Sequence, residues 1–356
     1  MSSFAERLIR WQRQHGRHDL PWQGADAYRV WLSEIMLQQT QVSTVLPYYQ
    51  RFVASFPDLP TLAAASSEQV LAHWSGLGYY ARGRNLYRAA QQIVAQHGGE
   101  FPRQFEDILA LPGVGRSTAA AICALAYHEK RAILDGNVKR VLARFCGIHG
   151  VPSDKTVEAQ LWQQAEVLLP AQAIATYIQA QMDFGATLCT RSRPRCAECP
   201  LRSDCVAYQS DQVALLPTPR ARKALPEKSA TFLLLCHDGQ FLLQQRPPSG
   251  IWGGLWCPPQ TDDLPEFLQT HGLSAPHPLP PFTHTFTHFK LHITPLFLSL
   301  AQKPSGLAGK WLSLNAALHA AISTPVRQML LACRQAHFTE AEPAPVDSKT
   351  PHNTDY

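Results

Sequence analysis

The chain has 356 residues, an ordinary globular composition and a formal net charge of +5. That length allows two domains with real cores. No apolar run approaches the ~20 residues of a membrane span, and the amphipathic start, MSSFAERLIRWQRQHG, lacks the apolar core and cleavage site of a secretory signal. A cytoplasmic protein is expected. The charge is uneven: residues 1–225 hold 24 Lys and Arg against 18 Asp and Glu, the remainder 8 against 9. A basic first part attracts polyanions. Taken alone that signal is weak.

Residues 4 to 14 read as a helix with Phe4, Leu8 and Trp11 on one side. In the loop that follows, Trp22 is either an anchor packed on the core or a flat wall for a base. From Tyr28 to Phe56, Leu32, Ile35, Val42, Val45 and Leu46 fall at helical spacing. Glu34 stands among them, with Trp31 and Leu37 one turn away on either side. Pattern alone favours a solvated helix acid. A carboxyl walled by apolar groups would instead have its pKa raised and keep a proton near neutral pH. Gln38, Gln39, Thr40 and Gln41 form an uncharged polar cluster. Amides suit base edges, which need donors and acceptors together, but they also serve to cap or solvate a helix.

Leu59 to Gln96 reads as two or three helices broken by Gly76-Leu77-Gly78-Tyr79-Tyr80. Such a loop is either a wedge for a base stack or a packed helix connection. The basic run Arg82, Arg84 and Arg88 after it would suit phosphates. A short helix over Phe101 to Ala110 leads into Leu111-Pro112-Gly113-Val114-Gly115 and a small-residue helix from Ser117 to Tyr127. Two glycines around one small residue let a backbone approach something bulky, and the N–H groups opening the next helix favour an anion. Asp135 follows, before Lys139 and Arg140. Asp is a preferred helix N-cap, and that position also favours its ionised form. Glu34 and Asp135 are therefore expected to have pKa values pushed apart, an arrangement suited to acid and anion chemistry in one site.

Helices continue from Lys155 to Leu188, and then comes Cys189-x6-Cys196-x2-Cys199-x5-Cys205. Without a secretion signal, clustered cysteines point to metal more than to disulfides. The ligand count suits zinc or an iron–sulfur cluster. Arginines 191, 193, 195 and 202 in the same loop suit a second phosphate contact. Residues 209–228 read as a Pro-containing linker. Beyond it the period changes to that of strands. Thr231–Cys236 and Phe241–Gln245 pair through a His237-Asp238-Gly239-Gln240 turn. A helix near Leu264 to His271, strand-like pieces at Phe282–Phe289 and His292–Leu300, and a helix from Pro325 to Gln335 complete an α+β module. The final residues, 337–356, read as a disordered tail.

The runs SEIMLQQTQV at 33–42, GLGYYARGRNL at 76–86, LPGVGRST at 111–118 and LDGNVKRV at 134–141, with the four-cysteine loop, resemble MutY-type adenine DNA glycosylases of the helix-hairpin-helix superfamily. GLWCPPQ and the strands after it resemble that family's Nudix-like C-terminal domain, here without an acidic metal-binding box. The resemblance implies a mainly α helix-hairpin-helix glycosylase fold over 1–208, including an iron–sulfur cluster loop at 189–205. After the linker it implies an α+β Nudix-like domain over 229–336 that recognises 8-oxoguanine.

The function implied is excision of adenine opposite 8-oxoguanine or guanine in double-stranded DNA, by a monomer without membrane attachment. Glu34 would protonate the leaving adenine, Asp135 would stabilise the sugar cation, and Asn137 would orient this acid pair. Gln39, Thr40, Leu77 and Tyr79 would meet the 8-oxoguanine or wedge beside it. Gly113 and Gly115 would grip phosphate. Asp183 and Trp22 would line the adenine pocket, although the loop between Trp22 and Tyr28 is a residue shorter than usual. Phe286-Thr287-His288 would read the oxidised base, with Thr287 where the family often has Ser. Cys189, Cys196, Cys199 and Cys205 would hold a [4Fe–4S] cluster. The closest alternative is an endonuclease III-type glycosylase and lyase on oxidised pyrimidines. It needs a lysine nucleophile where this chain has Ser117, and a hydroxyl cannot form a Schiff base.

Overall fold

The computed structural model describes residues 3–221 and 224–339, with side chains to 334. The chain divides into two units: residues 1–73 with 79–223, and residues 74–78 with 224–356. The first unit is helical. Its elements are α1 (Phe4–His15), α2 (Ala27–Leu37), α3 (Val42–Ser55), α4 (Leu59–Ala64), α5 (Ser67–Trp74), α6 (Ala81–His97), α7 (Phe105–Leu109), α8 (Arg116–Tyr127), α9 (Gly136–Cys146), α10 (Lys155–Val167), α11 (Ile174–Thr187) and α12 (Val206–Gln209).

Phe4, Leu8 and Trp11 of α1 enter a core with Ala120, Ala121 and Ala124 of α8, Val138, Val141 and Leu142 of α9, and Tyr177, Ile178 and Phe184 of α11. Alanine at the α8 contact lets these helices approach closely, because its side chain ends at Cβ. Ser3 and Glu6 close a capping box on α1. The stretch Tyr28–Phe56 is two helices. They part at Gln38–Gln41, where Gln39 has the left-handed φ of 58°. The stretch from Leu59 holds three helices, α4 to α6.

The expected linker is ordered at its start. Leu216 is buried and its carbonyl accepts from Arg144 Nε at 2.8 Å, while Thr218 Oγ1 accepts from the Gly150 N–H. Among the described residues, no helix is long and apolar enough to cross a membrane.

The second unit is a mixed sheet with helices: β1 (Glu227–His237), β2 (Gln240–Gln245), β3 (Trp256–Cys257), β4 (Gln260–Thr261), α13 (Leu264–Thr270), β5 (His277–Pro278), β6 (Phe282–Thr285), β7 (Lys290–Ser299), β8 (Lys310–Ser313), α14 (Leu314–His319) and α15 (Thr324–Thr339). β1 runs parallel to β7 from Glu227↔Lys290 to Cys236↔Ser299. Its near-continuous burial fits a central strand covered on both faces. β1 and β2 form the expected hairpin. Asp238 (φ 46°) and Gly239 (φ 70°) make its two-residue turn, which demands positive φ at both positions. Leu233, Leu235, Leu242, Leu296 and Leu298 make one core face. The strand-like piece at Phe282–Phe289 ends at Thr285, and 286–289 close a turn through Phe286 N–H to Phe289 O. α15 continues to Thr339, past the start of the expected tail. The rest of that tail lies outside the described residues.

Candidate active site

α2 presents Glu34 between buried neighbours Trp31, Ser33, Ile35 and Met36. Asp26 caps its start by accepting from Arg29 N. Glu34 is half-buried, and its carboxyl is strongly desolvated. Among the described residues it has no hydrogen-bond partner. Burial pushes its pKa up from 4.5 to about 8, and the nearby charge of Asp135 adds to the rise. The desolvation of Glu34 argues against a solvated helix acid, and the two carboxyls lie within electrostatic reach.

Asp135 caps α9, as the sequence suggested. Its Oδ1 accepts from Val138 N at 2.7 Å. One expectation needs correction: burial raises the Asp135 pKa rather than leaving it free to ionise. The N–H groups of Val138 and Asn137 oppose that rise, with help from Arg140 and Lys139. These four groups favour the charged form of Asp135, whereas no group lowers Glu34. The two acids therefore differ in their partners and not in their burial.

The supports of Asp135 come from three helices. Ser117 Oγ accepts from Leu134 N at 2.9 Å and so holds the residue before the acid. Asn137 Oδ1 accepts from Arg140 Nη2 at 2.9 Å, and the same nitrogen donates to Gly185 O at 2.6 Å. Arg140 Nε reaches Cys189 O at 2.9 Å. A Cβ at Gly185 would stand 2.6 Å from the Asn137 Cβ, so the close approach of α9 and α11 requires glycine there.

The glycine turn sits beside α2. Gly113 has φ 81°, and a Cβ there would lie 2.9 Å from Asn85 Cβ. Only glycine meets both demands. Gly115 is the N-cap of α8, without a side-chain cap, and space opens beyond its Cα. That leaves first-turn N–H groups for an anion. Gln38 Nε2 donates to Gly113 O at 3.3 Å and to Thr118 Oγ1 at 3.4 Å, tying the end of the Glu34 helix to the turn.

Other expected site residues differ in placement. Gln39 is exposed and Thr40 half-buried. Tyr79 is 48% exposed and Leu77 is 5% exposed. Trp22 is buried edge-on against Tyr49, with centroids 5.1 Å apart. Asp183 is fully buried and already engaged. It accepts from Arg17 N, Nε and Nη2 and from Gln179 Nε2, at 2.6 to 2.9 Å. Arg17 is a partner that the sequence reading missed, and it is partly exposed.

Arg82 is the largest departure. Instead of facing phosphate it is 8% exposed and donates to the carbonyls of Ile35, Met36 and Gln38. Its neighbours in sequence, Arg84 and Arg88, are half-buried and exposed respectively. The period of α6 could have flagged it, since Arg82 shares a helix face with buried Leu86 and Ala89.

Cys189, Cys196, Cys199 and Cys205 are free thiols lining one cavity with Arg144, Arg202, Leu188 and Pro194. Arg144 Nη1 approaches Cys189 Sγ at 3.4 Å. Burial pushes Cys199 up to about 11 and raises Cys196 and Cys205. A metal must therefore displace protons, as it does at thiolate sites generally. Among the described residues no three His, Cys, Asp or Glu groups converge as around one ion. Four thiols around one shared cavity, beside a cation, form a donor set that fits zinc or an iron–sulfur cluster.

In the second unit Phe286 is set in an aromatic group. Its ring stacks on Phe289 with centroids 4.3 Å apart, meets His284 edge-on at 4.6 Å and lies 6.0 Å from Trp252. Thr287 and His288 beside it are exposed.

Comparison with known proteins identifies the family of both parts of the chain. Residues 32–166 match the HhH-GPD superfamily of base excision DNA repair proteins, and residues 230–332 match the NUDIX domain. The class is thus a helix-hairpin-helix repair protein with a Nudix domain attached. The adenine DNA glycosylase of Buchnera aphidicola from Acyrthosiphon pisum is 37% identical over 337 residues, which is 92% of this chain and 96% of the relative. That of Mus musculus is 34% identical, over 92% of this chain and 77% of its own. Among solved structures, a thermostable thymine-DNA glycosylase shares the helical fold with a TM-score of 0.53 at 27% identity, covering 58% of this chain and 95% of its own. The chain belongs to the adenine DNA glycosylases, base excision repair hydrolases of the N-glycosidic bond.

Proposed function

We propose that the chain is a monofunctional glycosylase that removes adenine opposite 8-oxoguanine or guanine, with Glu34 as acid and Asp135 as anion. One observation carries this reading: the Glu34 carboxyl has no hydrogen-bond partner among the described residues, and its desolvation beside Asp135 pushes its pKa up to about 8. Cleaving the base from its sugar needs a proton on the leaving adenine and negative charge near the sugar cation, as in glycoside hydrolysis. Glu34 supplies the proton. Asp135, favoured as a carboxylate by its N–H bonds, supplies the charge. Asn137 holds its place through Arg140 and orients the pair.

The target must leave the duplex to reach this site, at a cost of roughly a few kcal/mol. Gly113 and Gly115 would hold phosphate through backbone N–H groups. Gln39, Thr40 and Tyr79 would meet the opposite base, and Phe286, Thr287 and His288 would read its oxidised form. Leu77 would lie beside the opposite base, Trp22 acts as a packed support against Tyr49, and Asp183 acts by fixing Arg17. Cys189, Cys196, Cys199 and Cys205 would hold a [4Fe–4S] cluster that gives this loop its shape. The domains would be 1–208 for excision and 229–336 for recognition.

A specific feature counts against an endonuclease III-type lyase. The position that needs a lysine is Ser117, whose hydroxyl is committed to Leu134 N. The deciding experiment compares adenine release from a duplex with adenine opposite 8-oxoguanine against release of an oxidised pyrimidine, with borohydride present. Release of adenine with negligible trapping is expected; strong trapping on the pyrimidine duplex reverses the assignment. Iron and sulfide near four each per chain are expected, and a colourless, fully active zinc protein overturns the cluster.

A further inference from the structure

We propose that Arg82 is a positioning residue that couples contact with the base opposite the target to the placement of the acid helix. The proposal rests on the reading above, in which Thr40 and Tyr79 meet that base and Glu34 acts on adenine.

A helix end leaves carbonyls without intrahelical partners, and a cation beside them is stabilising. α2 has no basic residue in its own last turn. Arg82 supplies one from α6. Its Nη1 reaches Ile35 O at 3.1 Å, Met36 O at 2.7 Å and Gln38 O at 2.5 Å. Ile35 and Met36 directly follow Glu34 in the chain. The other terminal nitrogen, Nη2, donates to Thr40 Oγ1 at 3.1 Å, and the guanidinium lies 5.3 Å from the Tyr79 ring centroid. One rigid planar group therefore holds the helix end with one nitrogen and the opposite-base contact with the other. Neither side can shift without the fork turning. Between them Gln39 is held at φ 58°, a conformation non-glycine residues keep only when neighbours enforce it. Its exposed side chain is the outward face of a junction clamped from within.

The test uses the full-length chain with Arg82→Lys, which keeps the charge but cannot hold two sides with one planar fork. Single-turnover adenine release is measured on duplexes with 8-oxoguanine and with guanine opposite adenine, from pH 6 to 10. The preference for 8-oxoguanine is expected to fall about tenfold or more, because the clamp is what lets the identity of the opposite base act on the rate. The alkaline limb of the rate is expected to move to lower pH as the helix end loosens and water reaches Glu34. Equal slowing on both duplexes with the limb unmoved overturns the coupling and leaves Arg82 a strut. Should circular dichroism show Arg82→Lys unfolded, Thr40→Val carries the test. A base contact alone would lower the preference there but leave the limb in place, so an unmoved limb again overturns the proposal. Wild type and Glu34→Gln run beside these. An active Glu34→Gln, or a wild type indifferent to the opposite base, sinks the underlying reading instead of the coupling alone.

Discussion

The two units treat charge in opposite ways. The helical unit buries it: Asp183, Arg82 and Arg144 are nearly inaccessible, and Glu34 and Asp135 are deep enough to be strongly desolvated. In the sheet unit every described acid is on the surface: Glu227, Asp238, Asp262, Asp263 and Glu266. Burying an ionisable group is costly unless partners or a task compensate. Asp183 and Arg82 have partners. Glu34 has none among the described residues, which fits the acid role proposed for it. The sheet unit offers exposed hydroxyl and imidazole groups beside a stacked Phe286, an arrangement suited to reading a base and not to breaking a bond.

The strongest way to break this contrast is to remove the chemistry from the helical unit alone. Glu34→Gln is expected to lower single-turnover adenine release by about 1000-fold or more, in the range that positioned acids supply. DNA binding by gel shift should change only a few-fold. Asp135→Asn should act in the same way. Strong loss of binding in both would make them structural and dissolve the difference between the units.

A second measurement sharpens the comparison by pH. The active form of Glu34 is protonated, and its pKa is raised to about 8. The rate under subsaturating conditions is expected to fall about tenfold per unit above that value, and to fall again at acid pH where Asp135, whose pKa burial raises, takes up its proton. An alkaline fall centred near pH 4.5 would mean that the Glu34 carboxyl is solvated in the working enzyme.

The sheet unit is probed by Phe286→Ala. A stacked ring contributes roughly 1–3 kcal/mol per base. Release from the 8-oxoguanine duplex should therefore slow about tenfold, with little change opposite guanine. Equal losses on both partners would move Phe286 from recognition to folding.

Local signals made much of this legible in the sequence. Asp135 followed by a helical pattern announces an N-cap, Asp-Gly between alternating apolar residues announces a tight hairpin, and Gly113 falls where both φ and space demand glycine. What was not legible is pairing across the chain. Nothing near Arg82 says that its partners lie 40 to 50 residues earlier, and nothing near Asp183 names Arg17. Leu77 lies in a glycine-rich loop, yet its burial depends on what packs over it, which spacing does not encode. Even Glu34 was misjudged by pattern. Trp31 and Leu37 stand one turn away, but the absence of a polar partner is a property of the assembled fold.

The smallest expected effect concerns stability. Folded Glu34 holds its proton to about pH 8, whereas an unfolded glutamate releases it near 4.5. Between those values the folded state binds more protons than the unfolded state, so this residue makes stability fall as pH rises. The burden is absent at low pH and complete above about 8. Glu34→Gln has no such titration. It should match wild type near pH 5 and be the more stable protein at pH 9, by roughly 1–3 kcal/mol. Thermal melts at the two values read this directly as a gap in Tm that opens with pH. The gain would be the stability that an unpartnered acid gives up to stay reactive, a trade found where active sites hold strained or desolvated groups. If the gap failed to open, the Glu34 carboxyl would be solvated in the folded protein, and the contrast between the two units would no longer explain where the chemistry resides.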